Sequence, residues 1–169
     1  MDSPNQEELD SDLRDAASRG AIHEIFSLLD RHADINAADQ DGRVPLHYAS
    51  WIGLQHCIKV LLDRHADVNA SNRYSATPLH EASLKGHHQC VKLLLDRRAD
   101  VNATDNWVGN TPLHHASLRG HHECIKILID HGANKSITNV RHPSIRLSLS
   151  LSRLIECILC LLILEVRIE

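Results

Sequence analysis

The sequence is poor in aromatic residues and lacks motifs that many enzymes and membrane proteins carry. Two tryptophans, two tyrosines and one phenylalanine are its complete aromatic content. It contains neither a glycine-rich phosphate loop nor a Gly-x-Ser-x-Gly element. The apolar run at residues 157–164 is well short of the ~20 residues that a membrane-spanning helix needs. We therefore expect a protein that is not an enzyme, uses no cofactor and does not span a membrane, with weak membrane contact by the C-terminal residues left open.

The charge of the chain is small and evenly distributed. The net charge is −4 at pH 7 and no basic block occurs, so we expect no nucleic-acid partner. Protonation of all 14 histidines would bring the net charge to +10, so mild acid should change the surface charge widely. Residues 1–15 have neither the basic start nor the apolar run of a signal peptide. The five cysteines are an odd number, and we expect a reducing compartment, the cytoplasm or also the nucleus.

A regular repeat organises the sequence. The element Pro-Leu-His recurs at nearly equal spacing along the chain, at Pro45, Pro78 and Pro112. Glycines recur with the same spacing, at Gly20, Gly53, Gly86 and Gly120. Since proline favours the first turn of a helix and glycine its end, each period predicts a short helix followed by a second one. Cysteines at one position of the second helix predict small buried side chains, at Cys57, Cys90 and Cys124.

The signature at residues 77–103 carries a specific family resemblance. Its Thr-Pro-Leu-His start, its central Gly-His, its Ala-Asp-Val-Asn-Ala end and its repeat period are similar to the ankyrin repeat. The resemblance implies an all-α solenoid of helix-turn-helix units with protruding loop tips. We expect residues 1–7 to be disordered, an ankyrin domain over residues 8–139, and an atypical apolar tail over residues 140–169. The four repeats, of which the first is a degenerate N-terminal cap, are expected at about 8–37, 39–70, 72–103 and 105–135.

The resemblance also implies a function. Ankyrin proteins bind partners on the concave surface that the loop tips and the exposed faces of the first helices form. We therefore expect a non-catalytic interaction module, a scaffold, adaptor or inhibitor, that acts as a monomer on a protein partner. Apolar and basic residues at positions that the fold leaves free predict the binding residues. They are Trp51, Ile52, Arg73, Tyr74, Leu84, Lys85, Trp107, Val108, Leu118 and Arg119.

Several alternatives remain at this point. Trp51 and Leu84 would serve only the fold if they packed on each other's repeats. The tail would be a cap on the fourth repeat, an aberrant terminus, or a docking element of a substrate-recruiting subunit in an assembly such as a ubiquitin ligase. A metal-dependent enzyme would have to use the pairs at residues 87–88 and 121–122, although neighbouring repeats are too far apart for tight tetrahedral ligation.

Two further features are implied by the resemblance. The histidine of each Pro-Leu-His element is expected to hydrogen-bond between neighbouring loops. Three asparagines lie in a context similar to that of ankyrin asparagines that an asparaginyl hydroxylase modifies: Asn36, Asn69 and Asn102. The alternative is that these asparagines only stabilise their turns through side-chain to backbone bonds.

Overall fold

The computed structural model describes residues 5–137, and these residues form four successive pairs of helices. The pairs are α1 Gln6–Arg19 and α2 Ile22–Asp30, α3 Pro45–Ile52 and α4 Gln55–Asp63, α5 Pro78–Lys85 and α6 His88–Asp96, and α7 Pro112–Arg119 and α8 His122–Asp130. No strand occurs within this range. The all-α solenoid that the resemblance implied is therefore confirmed.

The first helix of each later pair has the boundaries that the sequence predicts. Helices α3, α5 and α7 begin with proline after an extended N-cap residue. Proline suits this position because the first helical N–H has no partner inside the helix. Gly86, after α5, has a φ of 78°, a left-handed conformation that glycine adopts without a side-chain penalty.

The helices stack so that each repeat buries its apolar side on its neighbours. Helices α1, α3, α5 and α7 pack against one another in order, and each contacts the second helix of its own pair. The thiols of Cys57, Cys90 and Cys124 are buried and free, which confirms their prediction as small core side chains. Burial raises the pKa of Cys90 and Cys124 to about 11 and that of Cys57 to about 12.

Histidines link the start of one repeat to the loop tip of the next. The Nδ1 atom of His80 accepts the Thr77 N–H at 3.1 Å, and its Nε2 donates to the carbonyl oxygen of Asn110 at 3.1 Å. His47 makes the same pair of contacts, with Val44 and Ala76. Because Nδ1 accepts and Nε2 donates, these rings are neutral. Burial, followed by the Coulombic effect of His115, lowers the pKa of His80 to about 4. The role that the resemblance implied is confirmed for His47 and His80.

At the N-terminal end of the array one expectation is corrected, and the expectations for the C-terminal end concern residues that the structure does not describe. Helix α1 starts at Gln6, where the N–H of Asn5 donates to Glu8 Oε2 at 3.3 Å. Residues 6 and 7 are thus helical and not disordered as predicted. The predictions for residues 140–169 fall outside the described residues. Over residues 5–137, none of the helices combines the length and the apolar character that crossing a membrane requires.

Candidate protein-binding surface

The loop tips that precede α5 and α7 are joined into one layer. The N–H of Asn106 donates to the carbonyl oxygen of Tyr74 at 2.8 Å, and its side chain donates to that of Arg73 at 3.1 Å. The rings of Tyr74 and Trp107 meet edge to face, with their centroids 5.8 Å apart. The Arg73 guanidinium lies 4.7 Å from the Tyr74 ring centroid and pairs with Asp41 at 2.8 Å. These contacts hold both aromatic side chains in fixed positions.

The predicted residues of the first helices form an apolar face beside this layer. Trp51, at the end of α3, keeps 40% of its surface exposed, and Leu84 in α5 is half-buried. The Nζ atom of Lys85 lies 3.6 Å from the centroid of the Trp51 ring. Trp51 therefore contacts the next repeat and still presents apolar surface. The four large apolar side chains that are exposed within residues 5–137 all belong to the predicted set: Trp51, Ile52, Trp107 and Leu118.

The histidines of the Gly-His elements hydrogen-bond to the backbone of this face in the preceding repeat. His87 Nε2 donates to the carbonyl oxygen of Trp51 at 3.1 Å, and His121 Nε2 donates to that of Leu84 at 3.1 Å. A Cβ atom at Gly86 would lie only 2.6 Å from the His121 ring, so glycine is required at this close approach. Within the described part of the chain, no three histidine, cysteine, aspartate or glutamate side chains are grouped to hold a metal ion. His87 and His121 thus act as inter-repeat hydrogen-bond donors.

Apolar and polar side chains from three repeats line a half-open cavity of about 230 Å³, which we call the aromatic pocket. Its walls include Trp51, Tyr74, Leu84, Trp107, Glu81 and His115. The structure thus brings four of the ten predicted residues to one point. The other predicted residues do not line it: Ile52, Arg73, Lys85, Val108, Leu118 and Arg119.

Sequence reasoning missed Glu81 and His115. Each directly follows the histidine of a Pro-Leu-His element, and the equivalent residue of the preceding repeat is Tyr48. The residue type therefore changes from repeat to repeat next to a histidine that does not change. This variability was a signal of a position that the fold leaves free.

The prediction that Val108 is an accessible tip residue is wrong. The tip before α7 is one residue longer than its equivalents, and Asp105 Oδ1 accepts the N–H groups of Val108 at 3.2 Å and Asn110 at 3.0 Å. These bonds fold the longer turn over its own base, so Val108 is buried. Trp107, the preceding residue, points outward and is 68% exposed.

The three candidate asparagines link successive repeats. Oδ1 of Asn36 accepts the N–H of Asp67 at 2.9 Å, and Oδ1 of Asn69 accepts the N–H of Asp100 at 2.8 Å. Asn102 makes the equivalent bond to Asn134. The aspartate two residues earlier, not the asparagine, stabilises the turn itself, as Asp67 does for Asn69. Hydroxylation of these asparagines stays a prediction.

Comparison with known proteins agrees with this architecture. A family model described as ankyrin repeats (3 copies) matches residues 13–105, 73–139 and 105–164. No curated protein matches the chain.

Proposed function

Because the chain belongs to the ankyrin repeat family, we propose that it holds one protein partner, without catalysis, against the surface around the aromatic pocket. Ankyrin repeats generally mediate protein–protein interactions. The observation that supports this surface is the location of the exposed apolar side chains. The four large ones of residues 5–137, Trp51, Ile52, Trp107 and Leu118, all lie at positions that the repeat leaves free.

The anchoring of these side chains also supports the proposal. His87 fixes the backbone at Trp51, while the edge-to-face contact with Tyr74 fixes Trp107. An ordered binding surface loses little conformational freedom when a partner arrives, and this raises the affinity. Tryptophan, tyrosine and arginine are the residues that most often dominate binding energy at interfaces.

Affinity purification with mass spectrometry tests the proposal, with Trp51→Ala and Trp107→Ala compared with the wild-type chain. A partner captured by the wild type should be depleted with both variants. Lys92→Ala is the control, because Lys92 is exposed on α6 and lies outside the predicted surface. A captured protein that all three variants retain would contradict the assigned surface.

For the partner found in this way, the affinity and the stability are then measured for Trp51→Ala. We expect binding to weaken by about 2 kcal/mol or more, as for a central interface tryptophan. The free energy of unfolding, measured in urea, should change by less than ~1 kcal/mol. Trp51 is partly exposed, and its cation–π contact with Lys85 is weak at a site open to water. A loss of several kcal/mol in stability, with normal binding by the folded fraction, would show that Trp51 serves only packing.

A further inference from the structure

The residue that follows the Pro-Leu-His histidine is hydrogen-bonded to the loop tip of its own repeat in the second and fourth repeats, but not in the third. The hydroxyl of Tyr48 donates to Asp39 Oδ2 at 2.6 Å, and His115 Nε2 lies 3.0 Å from Asp105 Oδ2. The equivalent residues of the middle repeat, by the same repeat period, are Glu81 and Asn72. No hydrogen bond joins them. Asn72 Oδ1 accepts the N–H groups of its own turn, as Oδ1 of Asp39 and of Asp105 does, but an amide group takes the place of the second carboxylate oxygen.

Glu81 is therefore a largely buried residue whose carboxylate has no bonded partner among residues 5–137, although its oxygens keep some contact with solvent. Its exposed fraction is 8%, and it lies in the wall of the aromatic pocket. Arg43, His115 and Lys85 attract it through space, but none of them forms an ion pair with it. Burial raises the pKa of Glu81, and these three groups offset only part of that effect.

An ionised carboxylate in this position destabilises the fold. Removal of a charged group from water is unfavourable unless hydrogen bonds or an opposite charge replace the lost solvation. Residues that weaken a fold are characteristic of sites where function sets the residue type. The missing donor at Glu81 is thus best understood as one that another molecule provides.

We propose that the aromatic pocket receives a basic side chain, arginine or lysine, of the protein partner, and that Glu81 binds its charged end. This inference rests on the proposed function, since it names the chemistry of the residue that the partner inserts. The volume of about 230 Å³ is below the range of about 300–1,000 Å³ for sites of drug-sized ligands and suits one side chain.

The pocket walls favour a cation over an anion. Aromatic faces attract cations, and the structure already shows Lys85 over Trp51 and Arg73 over Tyr74. The carboxylates of Glu81 and Asp105 in the same wall would repel an anionic side chain. The wall also contains the cationic Arg43, which acts on Glu81 through space but forms no ion pair with it. A cation can form a charge-assisted hydrogen bond to Glu81 while its aliphatic stem contacts Leu84 and Trp107.

Intrinsic fluorescence tests this inference directly, because both tryptophans of the chain line the pocket. The probes are four blocked pentapeptides of glycine whose central residue is arginine, lysine, citrulline or glutamate. We expect the arginine and lysine peptides to change the fluorescence with a dissociation constant in the millimolar range. Citrulline keeps the shape of arginine without its charge and should bind about tenfold more weakly or not at all.

Glu81→Gln removes the charge at nearly constant volume, and Glu123→Gln is the matched control on the exposed surface of α8. The first variant should weaken binding of the arginine peptide about tenfold or more, while the control should leave it unchanged. Urea unfolding of both variants verifies that they are folded.

The outcomes separate this inference from the proposed function. Preference for the glutamate peptide, equal binding of arginine and citrulline, or no change up to about 10 mM arginine peptide would overturn the role of Glu81. If the protein partner still requires Trp51 in that case, the proposed function stands and only the basic side chain is wrong. If the partner is insensitive to both Trp51→Ala and Glu81→Gln, the surface itself is wrong.

Discussion

His80 and Glu81 are neighbours in sequence and nearly equal in burial, yet they differ in the hydrogen bonding of their side chains. His80 is 2% exposed and both of its ring nitrogens are hydrogen-bonded, one of them to the next repeat. Glu81 is 8% exposed, and its carboxylate has no hydrogen bond within residues 5–137. The histidine belongs to the interior contacts that every repeat must make, whereas the glutamate belongs to the surface that differs between repeats. Two residues with similar burial can therefore differ completely in the hydrogen bonding of their polar atoms.

The largest effect should come from a charge placed inside the array. Cys90→Asp is expected to unfold the third and fourth repeats, because the new carboxylate has neither solvent nor a partner at a site that is almost fully buried. Cys90→Val conserves the volume and should change stability by less than ~1.5 kcal/mol. Urea unfolding followed by circular dichroism compares the two. Rapid reaction of native Cys90 with a thiol reagent would contradict its burial.

The second largest effect should come from acid, which protonates His80 and breaks its hydrogen bond with Thr77. The pKa of His80 falls from 6.5 in the unfolded chain to about 4 in the fold, so the unfolded state binds the proton more readily. Its contribution is fully present above pH 6.5 and is lost as the pH falls toward 4, by about 3 kcal/mol in total. The free energy of unfolding at pH 7 and at pH 4.5 measures this loss. His80→Gln should reduce the pH dependence, and His56→Gln, at an exposed position, is the matched control for the substitution.

Burial also lowers the pKa of His47 and His114. Together with His80, these rings do not contribute to the change of surface charge that we expected from 14 histidines at mildly acidic pH.

A smaller difference in stability is expected between alanine substitutions at two equivalent glycines. Gly86 and Gly120 both have positive φ, at 78° and 69°, so alanine brings the same backbone strain to each. At Gly86 the new Cβ also meets the His121 ring, while at Gly120 no atom of residues 5–137 lies within 4 Å. Gly86→Ala should therefore be less stable than Gly120→Ala by about 1 kcal/mol, as measured by thermal unfolding. Equal effects would show that the His121 contact with Leu84 contributes little.

The smallest expected effect has the opposite sign. Because burial raises the pKa of Glu81 above 4.5, its ionised form destabilises the fold above the folded pKa, and this cost disappears below pH 4.5. Glu81→Gln should raise stability at pH 7 by up to about 1 kcal/mol and should have less effect at pH 4. Glu123→Gln is again the control. A clear loss of stability at pH 7 would show that the carboxylate has a structural role.

Much of the molecule was predictable from residue types and their spacing. The regular repeat period indicated the helix pairs, and Pro78 and Gly86 marked the ends of one helix as they do in the structure. The burial of Cys90 and the exposure of Trp51 and Trp107 followed in the same way. Each of these properties depends on the position of a residue within its own repeat, and the sequence shows that position directly.

Only the tertiary structure decided which side chains meet. A single extra residue turned Val108 inward, because Asp105 captured the N–H groups of the longer tip. Glu81 forms no hydrogen bond with Asn72, which has an amide group where Asp39 and Asp105 have the second carboxylate oxygen that bonds Tyr48 and His115. The bonds that Oδ1 of Asp105 and of Asn72 accepts join residues two to five positions apart within one loop tip, so both outcomes depend on the hydrogen-bond geometry of the folded tip. A repeat period fixes where residues lie along the solenoid, but not which donor reaches which acceptor.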